Sequence, residues 1–150
     1  MPEIDLKNFY GRYIAAINAR DFDTVGTLIA DEVRVNGTAC KREDVIASLK
    51  GIVDATPDFR WTVQDLFTED HRIAARLQDT GTPVKPFLGH EPTGALLDIM
   101  EYGSYRTENG VFVDMWFLMD AATAGEQLRR RMVSNGAGQA AADVGRGPVA

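Results

Sequence analysis

The spacing of apolar residues changes at Pro57, and this change constrains the fold more than any other feature of the chain. Before it, Ile4, Phe9, Tyr10, Tyr13, Ile14 and Ile17 recur three or four residues apart, the pitch of an amphipathic helix from about Ile4 to Ala19. "NARDFD" breaks that helix, and Asp23 is placed to cap a short second one carrying Val25, Leu28 and Ile29. "VRVNG" reads as a short strand ending in a turn. Val45, Ile46, Leu49, Ile52 and Val53 return to helical spacing until "TPD" stops it, since the residue before a proline is disfavoured in α conformation. After Pro57 the period is two. Phe59, Trp61 and Val63 alternate with Arg60, Thr62 and Gln64, and Ile73, Ala75 and Leu77 do so after the turn "TEDH". The Gly- and Pro-rich "DTGTPVKPFLGHEPTG" is a loop. A long strand then runs from about Ala95 to Arg106, "TENG" is a hairpin turn, and Val111 to Met119 is the last strand. "DAATAGEQLRRRM" is a terminal helix with Asp120 in its N-cap position.

Helices gathered at one end of the chain and hairpin-linked strands at the other define an α+β fold rather than a doubly wound one. A curved antiparallel sheet around a few helices leaves room for a ligand on its concave face. The 150 residues suit a single domain over 1–133, with the small, polar stretch 134–150 as a flexible tail. A net charge of -6 argues against nucleic acid and anionic membrane as partners. Cys40 is the only cysteine, so neither an internal disulfide nor a cysteine metal cluster is expected, and His71 and His90 lie in separate loops. No apolar run approaches the length of a membrane span and the first residues lack a leader pattern, so the expected location is the cytoplasm.

Several segments then resemble one family. "FYGRYIAAINARDFDTVGTLIADEV" is similar to the opening of SnoaL-like polyketide cyclases, with an aromatic helix followed by N-x-x-D. "PDFRWTVQDLFTEDHRIAARLQDTGT", "PFLGHEPTG", "YRTENGVFVDMWFLMD" and "GEQL" resemble that family's later strands, P-T-G loop, W-x-x-x-D ending and terminal Q-L, in the same order from Phe9 to Leu128. The resemblance implies the cone-shaped α+β barrel of the nuclear transport factor 2-like superfamily, a sheet wrapped around three helices with an internal apolar cavity. It also implies cyclases that need no cofactor or metal: an acid in the cavity removes an activated proton beside a carbonyl, and the enolate closes a ring. Carried onto this chain, that acid is Asp120. Pro83 and Met115 stand where many relatives carry histidine, so no imidazole partner is carried over.

A carboxylate in an apolar cavity is a stronger base than one in water. Trp116, Leu118 and Met119 supply such surroundings for Asp120. On the last strand Asp114, Trp116, Leu118 and Asp120 share a face, as do Asp98, Met100, Tyr102, Ser104 and Arg106 on the strand before. With the Trp116 face taken as concave, Tyr102 and Ser104 can donate to a substrate carbonyl and Asp98 is a second acid. Trp61, Leu118 and Tyr13 complete the pocket, with Tyr10 at its edge. Two other readings stand beside the cyclase: a hydrophobic small-molecule carrier in which Asp120 is only a helix cap, and an epoxide hydrolase or hydroxylase using Asp98, Arg76 and Asp120. Phe112 and Phe117, assigned to the opposite face, suggest a covered second face and hence a homodimer.

Overall fold

The computed structural model describes residues 5–130; the expected tail at 134–150 lies outside the described residues. The elements are α1 (Leu6–Asn18), α2 (Phe22–Thr27), β1 (Ile29–Val35), β2 (Thr38–Lys41), α3 (Arg42–Ala55), β3 (Arg60–Glu69), β4 (Arg72–Gly81), β5 (Leu97–Glu108) and β6 (Val111–Met119). A last helix, α4, covers residues 121–130. The strands form one sheet in the order β2-β1-β6-β5-β4-β3. All neighbours are antiparallel except β1 and β6, which run parallel. This is the α+β sheet-and-helix architecture expected from the change of period, with a curved sheet and helices packed on its concave side.

Local chemistry accounts for the boundaries. Asp5 caps α1 by accepting from the Asn8 amide at 3.1 Å. Asp21, not Asp23, caps α2: it accepts from the Thr24 amide at 3.2 Å and the Thr24 hydroxyl at 2.6 Å. Asp23 falls in that helix's first turn, where a negative charge still suits the dipole. The N-x-x-D segment thus has two structural duties. Asp21 starts a helix, and the Asn18 amide clamps the Trp61 backbone, donating at 2.8 Å and accepting at 2.9 Å. The second strand of the first hairpin, β2, is polar enough that alternation does not reveal it. Its turn is legible all the same: Asn36 and Gly37 both have positive φ, 49° and 86°, as a two-residue hairpin loop of this type requires.

The core lies between the sheet and the helices. Phe9, Tyr10, Tyr13, Ile14 and Ile17 form the buried face of α1, which crosses β3 and β4. Burying each such side chain contributes roughly 1.5–3 kcal/mol. Leu97, Ile99, Glu101, Gly103, Tyr105 and Thr107 point inward from β5, and Ile73, Ala75, Leu77 and Asp79 from β4. Two bulges shift the phase of the neighbouring strands, one in β3 between Val63 and Asp65, the other where β5 meets β6 between Arg106 and Thr107. Because of the second, Phe112 opposite Thr107 and Met115 opposite Tyr105 both face inward, three residues apart.

These bulges and the helix packing reverse the facing expected from alternation. Trp116 and Leu118 are 50% and 74% exposed on the outer face, and Phe112 and Phe117 lie on the inner side. The residues were grouped correctly, but the group containing Trp116 is not the concave one.

Candidate active site

The inner face carries the only buried acids among the described residues, Asp79 and Glu101. Leu77 pairs with Glu101 and Asp79 with Ile99, so the two carboxyls sit diagonally on adjacent strands, two residues apart in register and on one face. Glu101 lines a small interior cavity together with Tyr10, Tyr13, Trp61, Tyr105 and Phe117. Asp79 is fully buried behind it, opposite Trp61. The cavity measures about 20 Å³, room for about one water molecule.

The electrostatics follow from burial. Asp79 is pushed up to about 10, first by loss of solvent, then by its hydrogen bond to Glu101 and by the charge of Glu101. Glu101 is raised as well, again by burial, while hydrogen bonds from Asp79 and from the Trp61 side chain pull in the opposite direction. Both oxygens of Asp79, and Oε1 of Glu101, have no ordinary protein donor. The two carboxyls can therefore satisfy each other only when a proton lies between them.

Three phenols face this pair. The hydroxyls of Tyr10 and Tyr105 are 3.2 Å apart, and their rings meet at a tilt of 48° with 5.2 Å between centroids. Tyr13 packs on Tyr10 and Phe112. Burial raises all three well above the ordinary phenol value, so they remain neutral donors. The Tyr105 ring lies back along its own strand over Gly103: a methyl group at residue 103 would sit 2.7 Å from Cε1 and 2.8 Å from Cζ of that ring. Gly103 thus leaves the space that brings the Tyr105 hydroxyl toward Tyr10.

The residues expected to form the site are divided by the sheet. Tyr13 and Trp61 reach the inner cavity. Tyr102, Ser104, Trp116 and Leu118 line instead a groove of about 700 Å³ on the outer face. Asp98 is also outward: its carboxylate accepts from Gln78 at 2.7 Å, and its backbone is held on both sides by the Gln127 amide at 2.9 Å. Gln127 of the terminal Q-L thereby ties α4 to the start of β5. Arg76 is spent on Asp65, 2.7 Å away, so Asp98, Arg76 and Asp120 make no joint set. Asp120 is exposed. It accepts from the Thr123 amide at 3.0 Å and the Thr123 hydroxyl at 2.6 Å, which is the N-cap of α4. Those two bonds hold it below the usual carboxylate range, the reverse of what a neutral-pH base needs. His90 bridges to the same helix, its Nε2 2.9 Å from the Ala121 carbonyl.

Alternation did not single out Asp79 and Glu101. The available signal was a carboxylate at an inward position of each of two neighbouring strands, with apolar residues on either side: Leu77 before Asp79, Ile99 before Glu101 and Tyr105 beyond it. Among the described residues no group of three or more His, Cys, Asp or Glu is arranged to hold a metal, and no helix is long and apolar enough to cross a membrane.

A curved sheet closed by helices over a carboxyl- and phenol-lined cavity defines a class of small cavity-bearing α+β proteins. Within that class, the sequence profile of the SnoaL-like polyketide cyclase family matches residues 7–128, and the chain belongs to that family. A SnoaL-like polyketide cyclase from Agrobacterium tumefaciens strain C58 superposes with a TM-score of 0.79 at 26% identity, covering 84% of this chain and 99% of the other. IdmH, a candidate polyketide cyclase from Streptomyces antibioticus, gives a TM-score of 0.74 at 22% identity over 87% of this chain and 100% of its own. AclR, a candidate hydroxylase from Streptomyces galilaeus, gives 0.71 at 22% identity over 82% and 83% of the two chains. No curated protein matches the sequence.

Proposed function

We propose that this protein is a cofactor-independent cyclase that closes a ring in a hydrophobic, polyketide-like carbonyl compound by intramolecular aldol-type addition, with the reaction in the inner cavity. The observation that carries this reading is Glu101, a buried carboxyl at the cavity wall with Tyr10, Tyr13 and Tyr105 around it. Glu101 as carboxylate removes a proton from a carbon flanked by two carbonyls. The phenol hydroxyls donate to the enolate oxygen as its charge develops. The enolate carbon attacks a second carbonyl of the same molecule, and the resulting alkoxide recovers the proton from Glu101. Atoms balance without a further reactant. The apolar wall holds the chain folded, and such positioning supplies up to about 7–11 kcal/mol of a barrier in favourable cases. Asp120, first in line for the base by resemblance, is replaced in this reading by Glu101.

The cavity of about 20 Å³ is smaller than any such substrate, so binding requires outward movement of the side chains that close it, Phe117 and Met119 among them. The test is turnover of linear poly-β-carbonyl compounds followed by chromatography and mass spectrometry. Glu101→Gln should lose conversion while Asp120→Asn keeps it; the opposite pattern would return the base to Asp120. Binding without conversion in the unaltered protein would favour a carrier.

We further propose that a second copy of the chain covers the outer face of the sheet. Phe67, Tyr102, Trp116 and Leu118 are all more exposed than large apolar side chains usually are, and they border one continuous groove. A two-fold axis through that groove would bury the same residues on both copies.

A further inference from the structure

We infer that Asp79 and Glu101 hold one proton between them, with Asp79 as the donor and the Glu101 carboxylate as the acceptor, so that Asp79 is the positioning residue that keeps Glu101 an oriented base. The assignment of a base role to Glu101 rests on the proposed function; the shared proton does not.

The geometry leaves few alternatives. The two side chains lie on the same face of β4 and β5, two residues apart in register. Among the described residues, those that line the cavity with Glu101 include no cation. From α1 come Tyr10, Tyr13, Ile14 and Ile17, from α3 Leu49 and Ile52, and from β6 Phe117 and Met119. From β3 comes Trp61, and Tyr105 follows on β5 itself. The basic side chains nearest in sequence to the pair are paired elsewhere, Arg76 with Asp65, Lys85 with Asp54 and Arg106 with Glu108, and Arg20 at the end of α1 donates to the backbone carbonyls of Pro57 and Phe59, each at 2.8 Å. Two ionised carboxylates in such a place would be a buried double negative charge without a counter-ion, which is far costlier than protonating one of them. Among the described residues no phenol is hydrogen-bonded to either carboxyl; the hydroxyls of Tyr10 and Tyr105 meet each other at 3.2 Å.

Burial also orders the two groups. Asp79 is completely enclosed and does not reach the cavity, whereas Glu101 borders it. The deeper group keeps the proton. The group that meets the cavity, helped by the Trp61 side chain, keeps the charge. A neutral Asp79 then presents an O–H to one oxygen of Glu101 and leaves the other lone pairs directed at whatever enters. This arrangement differs from a lone buried glutamate, which would itself be protonated at neutral pH and useless as a base.

The test needs no substrate. Carboxyl-carbon NMR on the isotopically labelled full chain, with Asp79 and Glu101 assigned through their side-chain carbons, reads the protonation of each group from about pH 5 to 8. The expected result is a protonated Asp79 throughout, an ionised Glu101 at neutral pH, and midpoints separated by more than about one unit. Two ionised carboxyls at neutral pH, or two protonated ones, overturn the inference, and so does a proton resident on Glu101 with Asp79 ionised. Activity separates the two readings. If the NMR shows the shared proton but Glu101→Gln still turns over the carbonyl panel, the pair stands and the cyclase site must be sought elsewhere. If Glu101→Gln is inactive, the acid limb of the rate–pH profile should shift in Asp79→Asn.

Discussion

Gly103→Ala puts the packing of the cavity to a quantitative test. Gly103 lies on the inner face of β5, paired with Ala75 on β4 and Phe117 on β6, and its backbone is an ordinary strand that alanine adopts without strain. Considered alone, replacing a strand glycine by alanine gains about 0.5–1 kcal/mol. The new methyl would sit 2.7 Å and 2.8 Å from two atoms of the Tyr105 ring. Carbon atoms at rest stay about 3.5–4.0 Å apart. Tyr105 has nowhere to go, since it is 3% exposed and packed between Tyr10 and Phe112, each 5.2 Å away between centroids. Overpacking of this kind costs about 1–3 kcal/mol. Displacing the Tyr105 hydroxyl from Tyr10 adds about 1 kcal/mol. The net expectation is a loss of about 2 kcal/mol, taking the middle of each range. Urea denaturation of Gly103→Ala, Tyr105→Leu and the double variant closes a thermodynamic cycle. In the Tyr105→Leu background the ring end is gone, and Gly103→Ala should be neutral or stabilising. An equal loss in both backgrounds would refute the claim that Gly103 exists to seat Tyr105.

Three further outcomes are expected. Asp79→Asn keeps a donor for Glu101 and removes a carboxyl whose folded value, about 10, exceeds its unfolded one. The folded state then binds the extra proton, so the wild-type protein loses stability as pH rises between these values; over about pH 5 to 7 the variant should gain roughly 3 kcal/mol on the wild type, and a constant gap in urea melts would contradict it. Asp120→Ala should lower the melting temperature by about 3 °C through loss of the α4 cap, with Asp120→Asn close to wild type, as checked by circular dichroism. Leu118→Asp places a charge in the middle of the outer groove and should convert a wild-type dimer to a monomer in light scattering; a wild-type monomer at micromolar concentration would remove the second copy from that face.

Much of this molecule is written locally. The pitch of Phe9, Tyr13 and Ile17 specifies α1, the alternation around Trp61 and Leu77 specifies β3 and β4, and Val111 to Met119 emerges as β6 with the expected limits. Asp120 before "AATAGEQL" is legible as an N-cap because capping involves only residues three apart, and Asn36–Gly37 and Asn109–Gly110 mark hairpins for an equally local reason. Alternation also sorted Tyr102, Ser104, Trp116 and Leu118 correctly onto one face. It could not say which face is inside, because β5 and β6 carry aromatic and aliphatic residues on both: Tyr105, Phe112 and Phe117 on one, Tyr102, Trp116 and Leu118 on the other.

That choice belongs to the tertiary structure. Helix α1 selects the face into which its own aromatic residues pack, and the bulge near Thr107 brings Phe112 and Phe117 to the same side although they lie an odd five positions apart. Once the facing is set, Asp79 and Glu101 become buried neighbours, although 22 residues apart in the chain and unremarkable as single carboxylates in alternating strands. Pleat and cap are properties of a few consecutive residues, so the amino-acid order determines them directly. The proposed shared proton between two carboxyls depends on exclusion of water and on which charged groups the packing turns toward them, and neither is a property of consecutive residues.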